Sequence, residues 1–151
     1  MEHSIELIVS PYTGYCFGVK RAMSLLKQGM KDRSDGKIYT LGEIIHNPQA
    51  IERLSQSGVK TVQNLFEVEE GETIVIRAHG VHPNVLKEAG EKNIHVIDTT
   101  CPFVQRSQTY VKMLSEEGRD VIIIGDRRHP EVKGISGHIK NNSLVINSLK
   151  E

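Results

Sequence analysis

A chain of 151 residues can bury a real core, and its length suits one domain or two small ones. Nineteen Lys and Arg balance nineteen Asp and Glu, which excludes a global field for drawing in nucleic acid or an anionic membrane; any anion site has to be built locally. No apolar stretch approaches a membrane span, and the opening MEHSIELIVS lacks a basic region followed by a long apolar core, so a cytoplasmic chain is expected.

Taken in chain order, the first strand-length apolar run is IELIV (5–9). Cys16 follows, flanked by Tyr12, Tyr15 and Phe17, aromatic residues that suit a core or the shielding of a redox centre. Val19, Ala22, Met23, Leu26 and Met30 then keep the three-and-four spacing of a helix with one apolar face. KDRSDGK (31–37) reads as a surface turn, KIYTL (37–41) as a strand, and His46 stands just beyond it. NPQAIERLSQSG reads as a short helix begun near a proline and closed near a glycine. Strands VKTV (59–62) and TIVIR (73–77) come next, the second followed by His79. HPNVLKEAGEKN repeats the proline-opened helix, with His82 expected to cap a turn, and IHVID (94–98) closes the series as a strand.

Cys101 then stands between that strand and Pro102, a residue suited to a helix's first turn. Val104, Ser107, Val111 and Leu114 extend a second long helix, and VIIIG (121–125) and SLVIN (143–147) are further strands. Between them lie His129 and Glu131. Strands alternating with helices, several of them solidly apolar, argue for an α/β fold with mainly parallel sheets.

A loose internal repeat runs through this order. Cys16, a helix, a strand and His46 span thirty residues; Cys101, a helix, a strand and His129 span twenty-eight. The expected organisation is two related α/β units, a first over 1–99 and a shortened second over 100–151.

In open parallel sheets ligands collect outside the carboxyl ends of strands. Cys16, His46, His79, Cys101 and His129 all fall at such ends, so one fold can aim them at one cleft. A helix N-terminus favours thiolate, the form that binds metal, and histidines beside free backbone N–H groups suit a phosphate. Glu131 could relay protons beside His129, or simply complement a helix dipole. His3, His95 and His138 look ordinary. Two cysteines in a reducing compartment point to metal, catalysis or plain burial before a disulfide. No C-x-x-C or H-x-x-x-H pair supports zinc, and nothing pairs either cysteine with one histidine as a nucleophile.

The motifs GYCFGVKRA, GEIIHNPQ, RAHGV, DTTCPFV and HPEVKGISG, in that order and spacing, resemble the LytB-type 4-hydroxy-3-methylbut-2-enyl diphosphate reductases, from about residue 7 to the C-terminus. The resemblance implies repeated α/β units about a pseudo-threefold axis and an iron–sulfur enzyme of the non-mevalonate isoprenoid route. That enzyme reductively removes an allylic hydroxyl, giving isopentenyl and dimethylallyl diphosphates. By position, Cys16 and Cys101 match cluster ligands, and His46 and His79 match diphosphate-binding histidines. His129 matches the histidine near the substrate hydroxyl and diphosphate, and Glu131 the acid that delivers protons. A 4Fe-4S cluster, an allylic diphosphate and an electron donor such as ferredoxin or flavodoxin are the implied cofactor and partners.

The departure is length. Family members are about twice as long and carry a third cluster cysteine, which this chain lacks. Three expectations follow: a shortened reductase, half of a split enzyme completed by another polypeptide, or a homodimer with four cysteines around one cluster. That dimer would leave no iron free for a substrate oxygen and would be non-catalytic. A metal-free diphosphate-binding module using only the histidines is the remaining alternative.

Overall fold

The computed structural model describes residues 5–33, 36–140, 143–148 and 150. The elements are α1 (Phe17–Asp32), β1 (Ile38–Leu41), α2 (Pro48–Gln56), β2 (Lys60–Val62), a 3-10 turn (Leu65–Glu67), β3 (Thr73–Ile76), α3 (Pro83–Glu91), β4 (His95–Asp98), α4 (Pro102–Glu116), β5 (Val121–Ile124), α5 (Pro130–Ser136) and β6 (Ser143–Ile146). The first four strands form a parallel sheet in the order β2-β1-β3-β4, and β5 and β6 form a separate parallel pair.

Burial explains the order. Every residue of β1 and β3 is buried, as solidly apolar strands require, so these two take the centre. β2 and β4 expose most of their residues and form the edges. Alternation along β3 then divides the core. Val75 joins Ala22, Leu26 and Leu54 of α1 and α2 on one face, while Ile74 and Ile76 meet Leu65, Ala89 and Ile94 on the other. Gly29 lets α1 lie close to the sheet, because a Cβ there would come within 2.2 Å of Ile97.

Local chemistry starts and stops the helices. Proline occupies the first turn of α2, α3, α4 and α5, where a missing N–H costs no helical bond. The Asn47 side chain accepts the Ala50 N–H at 2.9 Å as the N-cap of α2. Gly58, at φ 89°, takes the left-handed turn that ends that helix.

Two expectations change. Residues 5–9 form no strand: the segment is irregular, with Ile5, Leu7 and Ile8 more than 80 % exposed. Apolar sequence makes a strand only where a neighbour offers a ladder, and no described strand pairs with it. On α4 the buried face runs through Val104, Gln108 and Ser115, leaving Ser107 exposed. Of the turn at 31–37, Ser34 and Asp35 lie outside the described residues, as does His3. Among the described residues no helix is long and apolar enough to cross a membrane.

Candidate functional site

β1 is paired with β2 on one side and β3 on the other, so the chain leaves β1 and β3 in opposite directions. Such a reversal opens a crevice at the strands' carboxyl ends. The segment after β1 brings His46 to this crevice and the segment after β3 brings His79; their ring centroids are 4.9 Å apart. The His129 ring, at the start of α5, stands edge-on to His79 at 5.4 Å. Three histidines from three strand ends thus form one cluster. His46 and His79 line a cavity of about 300 Å³ with Tyr15, Val19 and Asn47. A larger hollow of about 580 Å³ beside β2 contains neither histidine nor cysteine.

The cluster is electrostatically uneven. Burial pushes His79 down to about 4, assisted by His46, the Arg77 guanidinium and His129, so its imidazole is neutral near pH 7. Its Nδ1 is buried without a hydrogen-bond partner, and so is Arg77 Nε. Burial likewise lowers the Arg77 pKa, and its guanidinium lies over Gly42, where a Cβ would approach Nη1 to 2.6 Å. Buried polar atoms without partners cost stability in the free protein; Arg77 Nε is a donor in every state and His79 Nδ1 is one in the tautomer that protonates it, so both suit an anion.

The histidines differ in how they meet the helices. His46 precedes the Asn47 cap of α2 and is exposed; its Nδ1 is 4.0 Å from Glu43. His79 is not at a helix N-terminus, because His82 takes that place in α3, its Nδ1 accepting the Asn84 N–H. His129 caps α5 itself: the Glu131 N–H donates to His129 Nδ1 at 3.2 Å. That N–H is therefore not free for a phosphate. The bond instead places the proton of a neutral His129 on Nε2, which is left to donate elsewhere. His138 is held to Gly134 O at 2.9 Å, and His95 lies exposed on β4.

Cys16 and Cys101 are free thiols at the N-caps of α1 and α4, and neither side chain caps its helix. Both lie close to Gly18: a Cβ on that residue would be 2.7 Å from Cys101 Sγ and 4.0 Å from Cys16 Sγ. The aromatic neighbours of Cys16 do not form core; Tyr12, Tyr15 and Phe17 are all exposed. Tyr15 and Val19, on either side of Cys16 in the chain, line the cavity of His46 and His79.

A family model described as LytB protein matches residues 7–151. The chain belongs to the LytB family. Among curated relatives, LytB members named 4-hydroxy-3-methylbut-2-enyl diphosphate reductase from Citrifermentans bemidjiense and Clostridioides difficile are 45 % and 41 % identical to it, each over 97 % of this chain. The alignments cover 51 % and 52 % of those proteins, so the chain spans about half the length of the curated relatives it matches. A solved (E)-4-hydroxy-3-methyl-but-2-enyl diphosphate reductase superposes with a TM-score of 0.85 at 41 % identity, over 95 % of this chain and 52 % of that one. The Plasmodium falciparum reductase gives 0.87 at 29 % identity, over 93 % and 44 %. The parallel α/β fold is thus a LytB fold.

Sequence reasoning missed two residues of this LytB chain that the geometry brings to the site. Arg77 ends an otherwise apolar strand, and a charge in that place was its only signal. Gly18 stands in the first turn of a helix, where glycine has no propensity advantage.

Proposed function

We propose that this chain carries the diphosphate-binding histidines and two cluster-binding cysteines of a LytB reductase acting on 4-hydroxy-3-methylbut-2-enyl diphosphate. The observation that carries the reading is the convergence of His46, His79 and His129 at the crevice between β1 and β3, with two buried nitrogens, His79 Nδ1 and Arg77 Nε, left without partners. In the net reaction the allylic C–O bond breaks, electrons and protons enter, water leaves, and isopentenyl or dimethylallyl diphosphate results. His46 and His79 hold the diphosphate. His129, its Nδ1 engaged by its own helix, offers Nε2–H to the substrate's oxygens. Glu131, in the first turn of α5, is the proton donor. The division into units 1–99 and 100–151 belongs to this reading, supported by the two separate sheets.

Two free thiols brought near one glycine from the starts of separate helices suit an iron–sulfur cluster, with Cys16 and Cys101 as ligands. When bound, such a cluster supplies electrons, taken from a donor protein such as ferredoxin or flavodoxin. The described residues gather no set of three or more metal-binding side chains, so a further ligand comes from elsewhere. A second copy is the alternative source, favoured by the exposure of Cys16. Iron measured together with mass after anaerobic reconstitution separates these: about four irons per chain for a cluster of its own, about two for a shared one.

Calorimetry with inorganic pyrophosphate tests the anion site. His46→Ala with His79→Ala should cost more than tenfold in affinity, since each hydrogen bond to a charged group contributes about 1.5–3 kcal/mol. Equal affinities for wild type and the double variant would remove the site. Glu131→Gln should leave that affinity unchanged, because its role is proton delivery.

A further inference from the structure

The two cysteines come from distant parts of the chain, yet both sulfurs lie within 4.0 Å of the point that a Cβ on one residue would occupy. A Cβ on Gly18 would lie 2.7 Å from Cys101 Sγ, 3.3 Å from Cys101 Cβ and 4.0 Å from Cys16 Sγ. The first distance is well inside the optimal separation of non-bonded heavy atoms, so any side chain larger than hydrogen displaces Cys101. Backbone conformation does not explain the glycine. Gly18 is a buried residue of α1 and is not among those with positive φ, so alanine would suit its backbone and form helix better. What glycine provides here is room.

We propose that Gly18 is the positioning residue of the two-thiol site: its missing side chain lets Cys101 Sγ face Cys16 Sγ over the first turn of α1. The inference goes beyond the ligand assignment and does not depend on what the thiols bind. Alanine at this position would turn Cys101 Sγ about its single side-chain torsion and move Cys101 Cβ by a few tenths of an ångström, while the loop behind it stays anchored. Cys101 N–H donates to Ala78 O at 2.9 Å, and Arg21 Nη1 donates to Thr100 O at 3.2 Å. Gly18→Ala should therefore separate the sulfurs and leave the fold in place.

Dibromobimane, which becomes fluorescent when both its bromides are displaced by neighbouring thiols, reads this directly on the reduced, metal-free chain at low concentration. Wild type should form one intramolecular bridge per chain. Gly18→Ala should bridge at least fivefold more slowly, with both thiols still titratable and melting almost unchanged. If Gly18→Ala melts early instead, adding Cys101→Ala should restore the wild-type melting temperature by removing the sulfur it strikes. Failure of wild type to bridge, bridging of Gly18→Ala at the wild-type rate, or an early melt that Cys101→Ala does not restore would each overturn the proposal. A wild type that bridges but takes up no iron on reconstitution would instead count against the cluster reading and leave Gly18 in its role.

Discussion

The sheet of β1 to β4 and the pair β5–β6 use the same strand-and-helix grammar with different completeness. In the first, helices cover both faces, and Leu26, Ile44, Ile74, Val75 and Ile76 are wholly buried. In the second, Val121 is buried while Ile122, Ile124 and Leu144 are 63 %, 77 % and 51 % exposed. Apolar sequence of equal quality thus stabilises one region and leaves the other with an uncovered face. A strand's hydrophobicity states what it can bury; its neighbours decide whether it does.

Core truncation should give the largest contrast. Leu26→Ala is expected to cost about 2–5 kcal/mol in urea unfolding, whereas Ile124→Ser should stay within about 0.5 kcal/mol. Similar losses would mean that the exposed face is covered in solution. The next contrast uses two left-handed glycines, Gly42 (φ 70°) beside Arg77 and Gly118 (φ 77°) with nothing near it. Alanine at either costs roughly 1–2 kcal/mol for the backbone alone. Gly42→Ala should exceed Gly118→Ala, because the Arg77 guanidinium must also move. Thermal melts that rank them the other way would dissociate Arg77 from Gly42.

Smaller differences lie at the helix starts. Asn47→Ala should destabilise by about 1 kcal/mol through loss of the α2 cap, and His129→Ala by less than about 0.5 kcal/mol at the short, exposed start of α5. A separate contrast is a pH slope. The His79 ring titrates near 6.5 when unfolded and about 4 when folded, so the unfolded chain binds more protons between those values. Its contribution is fully present above pH 6.5 and is lost as pH falls toward 4. Solvent around a half-buried ring screens that contribution. Stability curves across this window should flatten in His79→Gln, and an unchanged slope would show that other groups carry it.

How much was legible from sequence depends on whether the decisive interaction is local. The alternation of solid apolar runs with proline-opened helices is local, and the parallel α/β fold followed from it. Residues 5–9 share that composition, but strand formation needs a partner that composition cannot name. On α4, Gln108 is buried because it is wedged against Gly80, whose Cβ would come within 2.6 Å of its Nε2, and hydropathy cannot register such a contact. At the candidate site, placement of the histidines at strand ends was readable. Which strand ends are neighbours was not, since that rests on the β2-β1-β3-β4 order. Arg77 and Gly18 act through single-atom distances that no spacing rule encodes.

The irregular residues leading to Cys101 are tied down like a strand. Thr99 N–H donates to Ile76 O at 3.1 Å and Cys101 N–H to Ala78 O at 2.9 Å, continuing the ladder of β3 past its formal end. Amide hydrogens in such a place exchange with solvent only when the ladder opens, so both should persist in deuterium about as long as those of β3 itself. The strand that delivers His79 also holds the backbone that delivers Cys101. The backbones that carry imidazole and thiol should therefore open as one unit, and a ligand that tightens one is expected to slow amide exchange at both.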